Sequence, residues 1–119
     1  MRRGALLILE IVQMLEISEE TFEREVLAPA EPVLVEFWST WCASCRLQEH
    51  VMAELDAHYR GRARFGKVKM EENQNLAIQY RIMSAPTLLL FVGGEVRKRF
   101  NGFQKWAPLA QAVDDALAG

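Results

Sequence analysis

A chain of 119 residues, half of them hydrophobic and a quarter charged, is expected to form one globular domain around one modest core. The net charge of -2 offers neither the basic excess of a nucleic-acid binder nor an acidic run that would mark a disordered tail. Two cysteines are too few for the disulfide framework of a small secreted scaffold.

The chain opens on "MRRGALLILEIVQM", where two arginines precede an apolar run as they do in a signal peptide. The clean run, Ala5 to Leu9, ends at Glu10, no small-residue cleavage site follows, and it is too short to span a bilayer. Residues 1–13 are read as an N-terminal extension, with a targeting or membrane-contact role left open. Met14 directly precedes the domain, residues 14–119, and is a possible natural start. A reducing cytoplasm is the expected compartment, with no membrane association, and a permanent staple between cysteines is disfavoured there.

Ser18 reads as a helix N-cap with Glu19 and Glu20 in the first turn, and Phe22, Val26 and Leu27 follow at helical spacing. Pro29 and Pro32 close that segment. Residues 33–38, "VLVEFW", are apolar on both alternating faces except for Glu36, the pattern of a central strand. Beyond the cysteines, Leu47, Val51 and Leu55 mark one apolar helix stripe that runs to about Tyr59 and stops at Gly61. Residues 63–70 form a second strand, which makes a βαβ unit with parallel strands and a right-handed crossover.

Residues 73–80 read as a short helix and residues 86–92 as a third apolar strand. Gly93-Gly94 is a hairpin turn into an edge strand at residues 95–101, with Val96 and Phe100 alternating against Arg97 and Arg99. A last helix covers residues 108–117 and buries Leu109, Val113, Ala116 and Leu117; Trp106 is read as packing on it. The pattern yields four helices and four strands in a mixed sheet covered on both faces.

The cysteines stand in "WCASC", residues 41–45. A structural zinc site takes four Cys or His ligands, and Cys42, Cys45, His50 and His58 are the whole supply. The two histidines lie eight residues apart on one helix, which at ~1.5 Å per residue is too far to share an ion. No metal site is therefore expected. Redox chemistry fits better, because Cys42 falls at a strand-to-helix junction where unpaired N–H groups and the helix dipole stabilise a thiolate. Cys45 sits one turn deeper, where burial favours the thiol. Cys42 is expected to attack and Cys45 to resolve, with Arg46 adding positive charge and Trp41 a flat apolar surface.

With these motifs in order, "VLVEFWSTWCASC", then "KVKMEENQNLAIQYRIMSAPTLLLFVGGEV", then Gly102 and a final amphipathic helix, residues 14–118 closely resemble the thioredoxins. The resemblance implies an α/β thioredoxin fold, a mixed five-stranded sheet flanked by four helices. It implies a cis-proline at Pro86 beside the cysteines, with Ala85, Gly102 and Trp41 on the rim that substrates touch. It places Glu36 at the family's buried acid and Lys67 at its nearby lysine. An isolated carboxylate in such a strand is expensive to bury ionised, so its pKa should rise, which suits a base that deprotonates Cys45. The alternative is a structural acid partnered by Lys67.

Glu36 replaces the family's usual aspartate, Ala43-Ser44 replaces Gly-Pro, and Ala85 replaces a bulkier residue. The implied activity is thiol–disulfide exchange on protein disulfides, with no bound cofactor and with a flavin-dependent thioredoxin reductase as partner. A partner dedicated to one client, an oxidant, or a non-catalytic protein-binding module are the alternatives.

Overall fold

The apolar run Val33–Trp38 is the centre of a five-stranded sheet in the computed structural model, which describes residues 14–119. The N-terminal extension, residues 1–13, lies outside the described residues. The strands are β1 (Leu15–Ile17), β2 (Val33–Trp38), β3 (Arg64–Lys69), β4 (Thr87–Val92) and β5 (Glu95–Asn101), in the order β1-β3-β2-β4-β5. The helices are α1 (Glu23–Leu27), α2 (Ala43–His58), α3 (Gln74–Gln79) and α4 (Trp106–Ala118), and a 3₁₀ turn covers Met70–Glu72. The described residues therefore form the expected mixed sheet with four helices.

β2 pairs with β3 in parallel, in register from Val33↔Arg64 to Trp38↔Lys69, and α2 is the crossover between them. β4 joins antiparallel both to β2 and to β5. Gly93 and Gly94 turn that hairpin with φ of 60° and 82°, a left-handed backbone that glycine adopts without steric cost. Because side chains alternate across a strand, each central strand feeds two cores. Leu34, Leu88 and Leu90 pack with Met52 and Leu55 of α2 and Leu109 and Val113 of α4. Val35, Phe37, Leu89 and Phe91 pack on the opposite side with Phe22, which precedes α1, Val26 of α1 and Leu76 of α3.

Four sequence expectations change. The pattern did not show β1, a strand of three residues paired in parallel with β3. Ser18 does not cap a helix: it closes a turn, Thr21 N–H to Ser18 O at 3.1 Å, and the following Glu19 is tied to Asn73 and Asn75, so α1 begins only after Phe22. The buried stripe of α2 is Cys45, Gln48, Met52 and Leu55, continued by Tyr59, and Leu47 is 60% exposed. At the far ends, Val96 and Leu117 are exposed: a bulge between Leu90 and Phe91 breaks the alternation along β5, and Leu117 lies in the last turn of α4. Trp106 does pack at the start of α4, edge-on to His58 with ring centroids 5.2 Å apart.

Candidate active site

β2 ends at Trp38, and the chain turns through Ser39, Thr40 and Trp41 before α2 begins. Glu71, from the 3₁₀ turn after β3, holds that turn. Its Oε2 accepts from Ser39 Oγ at 3.0 Å, Thr40 N–H at 3.0 Å and Thr40 Oγ1 at 2.6 Å. The Thr40 hydroxyl, then its N–H, hold the Glu71 carboxyl down at about 2, so it is ionised when it makes these bonds.

Cys42 is the N-cap of α2. Its backbone is extended, and its Sγ accepts the Cys45 N–H at 3.2 Å, a donor it shares with its own carbonyl oxygen. Ser44 Oγ stands 3.5 Å from the same sulfur. Cys42 and Cys45 are joined as a disulfide with Cα atoms 5.3 Å apart. Cys42 is half-buried and Cys45 is buried, so the two sulfurs differ in access as well as in their place on the helix. Trp41, next to Cys42, is 80% exposed and presents its ring to solvent.

The Ala85–Pro86 peptide bond is cis. Phe37 pairs with Thr87, so Pro86 lies beside the end of β2, where the loop to Cys42 starts. Gly102, with φ of 91°, donates its N–H to Pro86 O at 2.8 Å and thereby fixes the end of β5 against the proline loop. Trp41, Ala85, Pro86 and Gly102 thus belong to three loops at one end of the sheet.

Glu36 is wholly buried, and neither of its carboxylate oxygens has a hydrogen-bond partner. It shares the face of β2 with Leu34, the face that α2 covers, one step nearer the helix start and Cys45. Burial, reinforced by the negative charge of Glu49 and opposed by Lys67, pushes its pKa up to about 8. Lys67 faces Glu36 in the β2–β3 register, but no hydrogen bond joins them. The Lys67 ammonium donates instead to Glu49 Oε2 at 2.6 Å, with Glu16 at 3.8 Å, because both of those carboxylates reach solvent and Glu36 does not.

Three residues of this neighbourhood escaped the sequence reading: Glu71 under the loop, Glu49 on Lys67, and Gln48, buried in α2 and bonded to the Gln104 main chain. Glu49, at i+4 from Cys45, carried a legible signal in its spacing. Glu71 did not, since its contact spans 31 residues of sequence. Among the described residues no group of three His, Cys, Asp or Glu side chains is placed to hold a metal ion, and no helix is long and apolar enough to cross a membrane.

The thioredoxin family model matches residues 13–115. Thioredoxin 1 of Nostoc sp. is 42% identical over 102 residues, covering 86% of this chain and 95% of that protein. The thioredoxin of Acidithiobacillus ferridurans is 36% identical over 104 residues, covering 87% of this chain and 96% of that protein. A bifunctional thioredoxin reductase/thioredoxin of Mycobacterium leprae is 32% identical over 103 residues, 87% of this chain but 22% of that protein.

Proposed function

The chain belongs to the thioredoxin family and is a thiol–disulfide oxidoreductase of that type, and we propose that it reduces protein disulfides with Cys42 as nucleophile and Cys45 as resolving thiol. The observation that carries the assignment of roles is the inequality of the pair: Cys42 is the accessible helix cap and Cys45 is buried one turn inside.

In the reduced protein the Cys42 sulfur, stabilised as thiolate by the N–H groups at the start of α2, attacks one sulfur of the substrate disulfide. A mixed disulfide forms, and the other substrate sulfur leaves as a thiolate that takes up a proton. In the molecules whose Glu36 is ionised, Cys45 then gives its proton to that carboxylate and attacks Cys42 Sγ. The mixed disulfide breaks, the second substrate sulfur leaves, and Cys42–Cys45 is oxidised while the substrate has gained two electrons. A carboxyl held at about 8 is a much stronger proton acceptor than an ordinary carboxylate, which is what taking a proton from a thiol requires.

Trp41, Ala85, Pro86 and Gly102 form the substrate rim in this reading. Among the described residues nothing takes the main-chain groups of Ala85, which leaves them for an extended substrate segment. Lys67 acts on Glu36 by its field across the strand pair. The oxidised protein needs a reductant, and a thioredoxin reductase fits, the two activities being joined in the name of the Mycobacterium leprae relative. A cytoplasmic setting belongs to the same proposal, since that compartment keeps dithiols reduced. Residues 1–13 are a separate extension of the domain in this proposal.

Cys45→Ser tests it. The variant should accumulate mixed disulfides on Cys42 with several client proteins, and the wild type should catalyse reduction of a model protein disulfide by a small dithiol. Absence of both overturns the proposal, and a single dominant client replaces the general reductant by a dedicated partner.

A further inference from the structure

The lysine opposite a buried carboxylate would be expected to fold over it. Here the carboxylate is left bare: both Glu36 oxygens are buried and unbonded, while Lys67, its register partner, is bonded to Glu49. The ammonium lies 2.6 Å from Glu49 Oε2, 3.8 Å from Glu16 Oε2 and 5.3 Å from the centroid of the Trp38 ring. Glu49 comes from α2, four residues after Cys45, and so stands above the same side of the helix. An open cleft of about 470 Å³ is lined by Trp38, Cys45, Arg46, Glu49 and Lys67.

The groups that face Glu36 can be taken element by element. β3 brings Lys67, α2 brings Cys45 and Glu49, and β1 brings Glu16 through its contact with Lys67. β4 brings Leu88, which has no charge. Arg46 of α2 lines the same cleft as a second cation, but Lys67 is the one in register with Glu36, and Glu49 holds it.

We propose that Glu49 is a positioning residue for proton transfer at Cys45: it draws the Lys67 ammonium into the cleft and so prevents the Lys67–Glu36 ion pair that would lock Glu36 as a carboxylate. An ion pair inside a buried site favours the charged acid strongly, by about one to three units. Glu36 would then bind a proton too weakly to take one from a thiol. With Lys67 held by Glu49, burial dominates, and the Glu36 carboxyl keeps its raised proton affinity. The inference rests on the reading of Glu36 as the proton acceptor of Cys45.

The test follows the Glu36 carboxyl carbon by NMR across pH in the reduced full-length protein, beside the pH profile of Cys45 attack on a preformed mixed disulfide between Cys42 and a small aromatic thiol. In Glu49→Gln the Glu36 midpoint should fall by about one unit or more, a loss of about tenfold in proton affinity. The same exchange in a Lys67→Met background should move it much less, since no ammonium is left to release. A midpoint unchanged in Glu49→Gln overturns the proposal. An equal shift in both backgrounds also overturns it, because Glu49 would then act on Glu36 by direct repulsion alone. The relay reading is judged separately: it fails if Glu36→Gln leaves the pH profile of Cys45 attack unchanged, whatever the carboxyl titration shows.

Discussion

The side-chain amide of Gln48 spends both its donor and its acceptor on the main chain of Gln104. Its Nε2 donates to Gln104 O at 3.0 Å, and its Oε1 accepts the Gln104 N–H at 2.8 Å. Gln48 is wholly buried, one turn beyond Cys45, and Gln104 lies two residues after Gly102. A polar side chain in the core thus ties the cysteine helix to the loop that adjoins Pro86. Gln48→Leu keeps the volume and leaves both Gln104 groups without a protein partner, a loss of about 1–3 kcal/mol. The expected result is a lower urea midpoint with unchanged slope and faster hydrogen exchange at the Gln104 amide. Exchange at Gln104 that stays as slow as in the wild type would show that the clamp does not hold the loop.

The same residue explains why the buried face of α2 departs from the apolar stripe that the sequence suggests. Positions 47, 51 and 55 are a strict i+4 row, and on a helix of 3.6 residues per turn such a row drifts by about 40° at each step. The true face steps by three and four, through Cys45, Gln48, Met52, Leu55 and Tyr59, but Gln48 interrupts its apolar pattern. The central strands, the hairpin and the placement of Cys42 at a helix start were legible because each depends on local pattern. The Glu49–Lys67 and Glu71–Thr40 bonds were not, because they join segments whose approach is decided by sheet order.

β1 is the clearest case of a tertiary element without a local signal. Three residues cannot display a period of two, and what fixes them is β3. Leu15 lies opposite Gly66 in the parallel register. A Cβ on Gly66 would come within 2.5 Å of Ile17 Cδ1, 3.0 Å of Leu15 Cβ and 3.1 Å of Leu15 O. Ile17 can swing its terminal methyl aside; the Leu15 contacts are too close to the backbone for that. Gly66→Ala should therefore lift β1 from β3 and cost about 1–3 kcal/mol. Chemical denaturation measures the loss, and faster exchange of the β1 and β3 amides locates it. An alanine variant with the wild-type midpoint and intact protection would mean that β1 adapts without cost.

Glu36 makes the stability of the fold depend on pH, and the sign follows from the direction of its shift. The native carboxyl keeps its proton up to about 8, whereas the unfolded chain releases it near the ordinary value of 4.5. Between those values the native state binds more protons, so stability rises as pH falls and drops as pH rises. At about pH 7 the shift corresponds to a cost of about 3 kcal/mol, on the order of magnitude of one unit per 1.4 kcal/mol. Glu36→Leu, close in volume and without charge, should remove that cost and make the oxidised protein more stable at about pH 7. The advantage should shrink by about that amount towards about pH 4, where both states of the wild type are protonated and only the pH-independent difference between the two side chains is left. Urea unfolding of the two proteins at matched pH values gives the difference directly. Parallel stability curves across that range would show that Glu36 is not held protonated by its burial, and would remove the physical basis for its role beside Cys45.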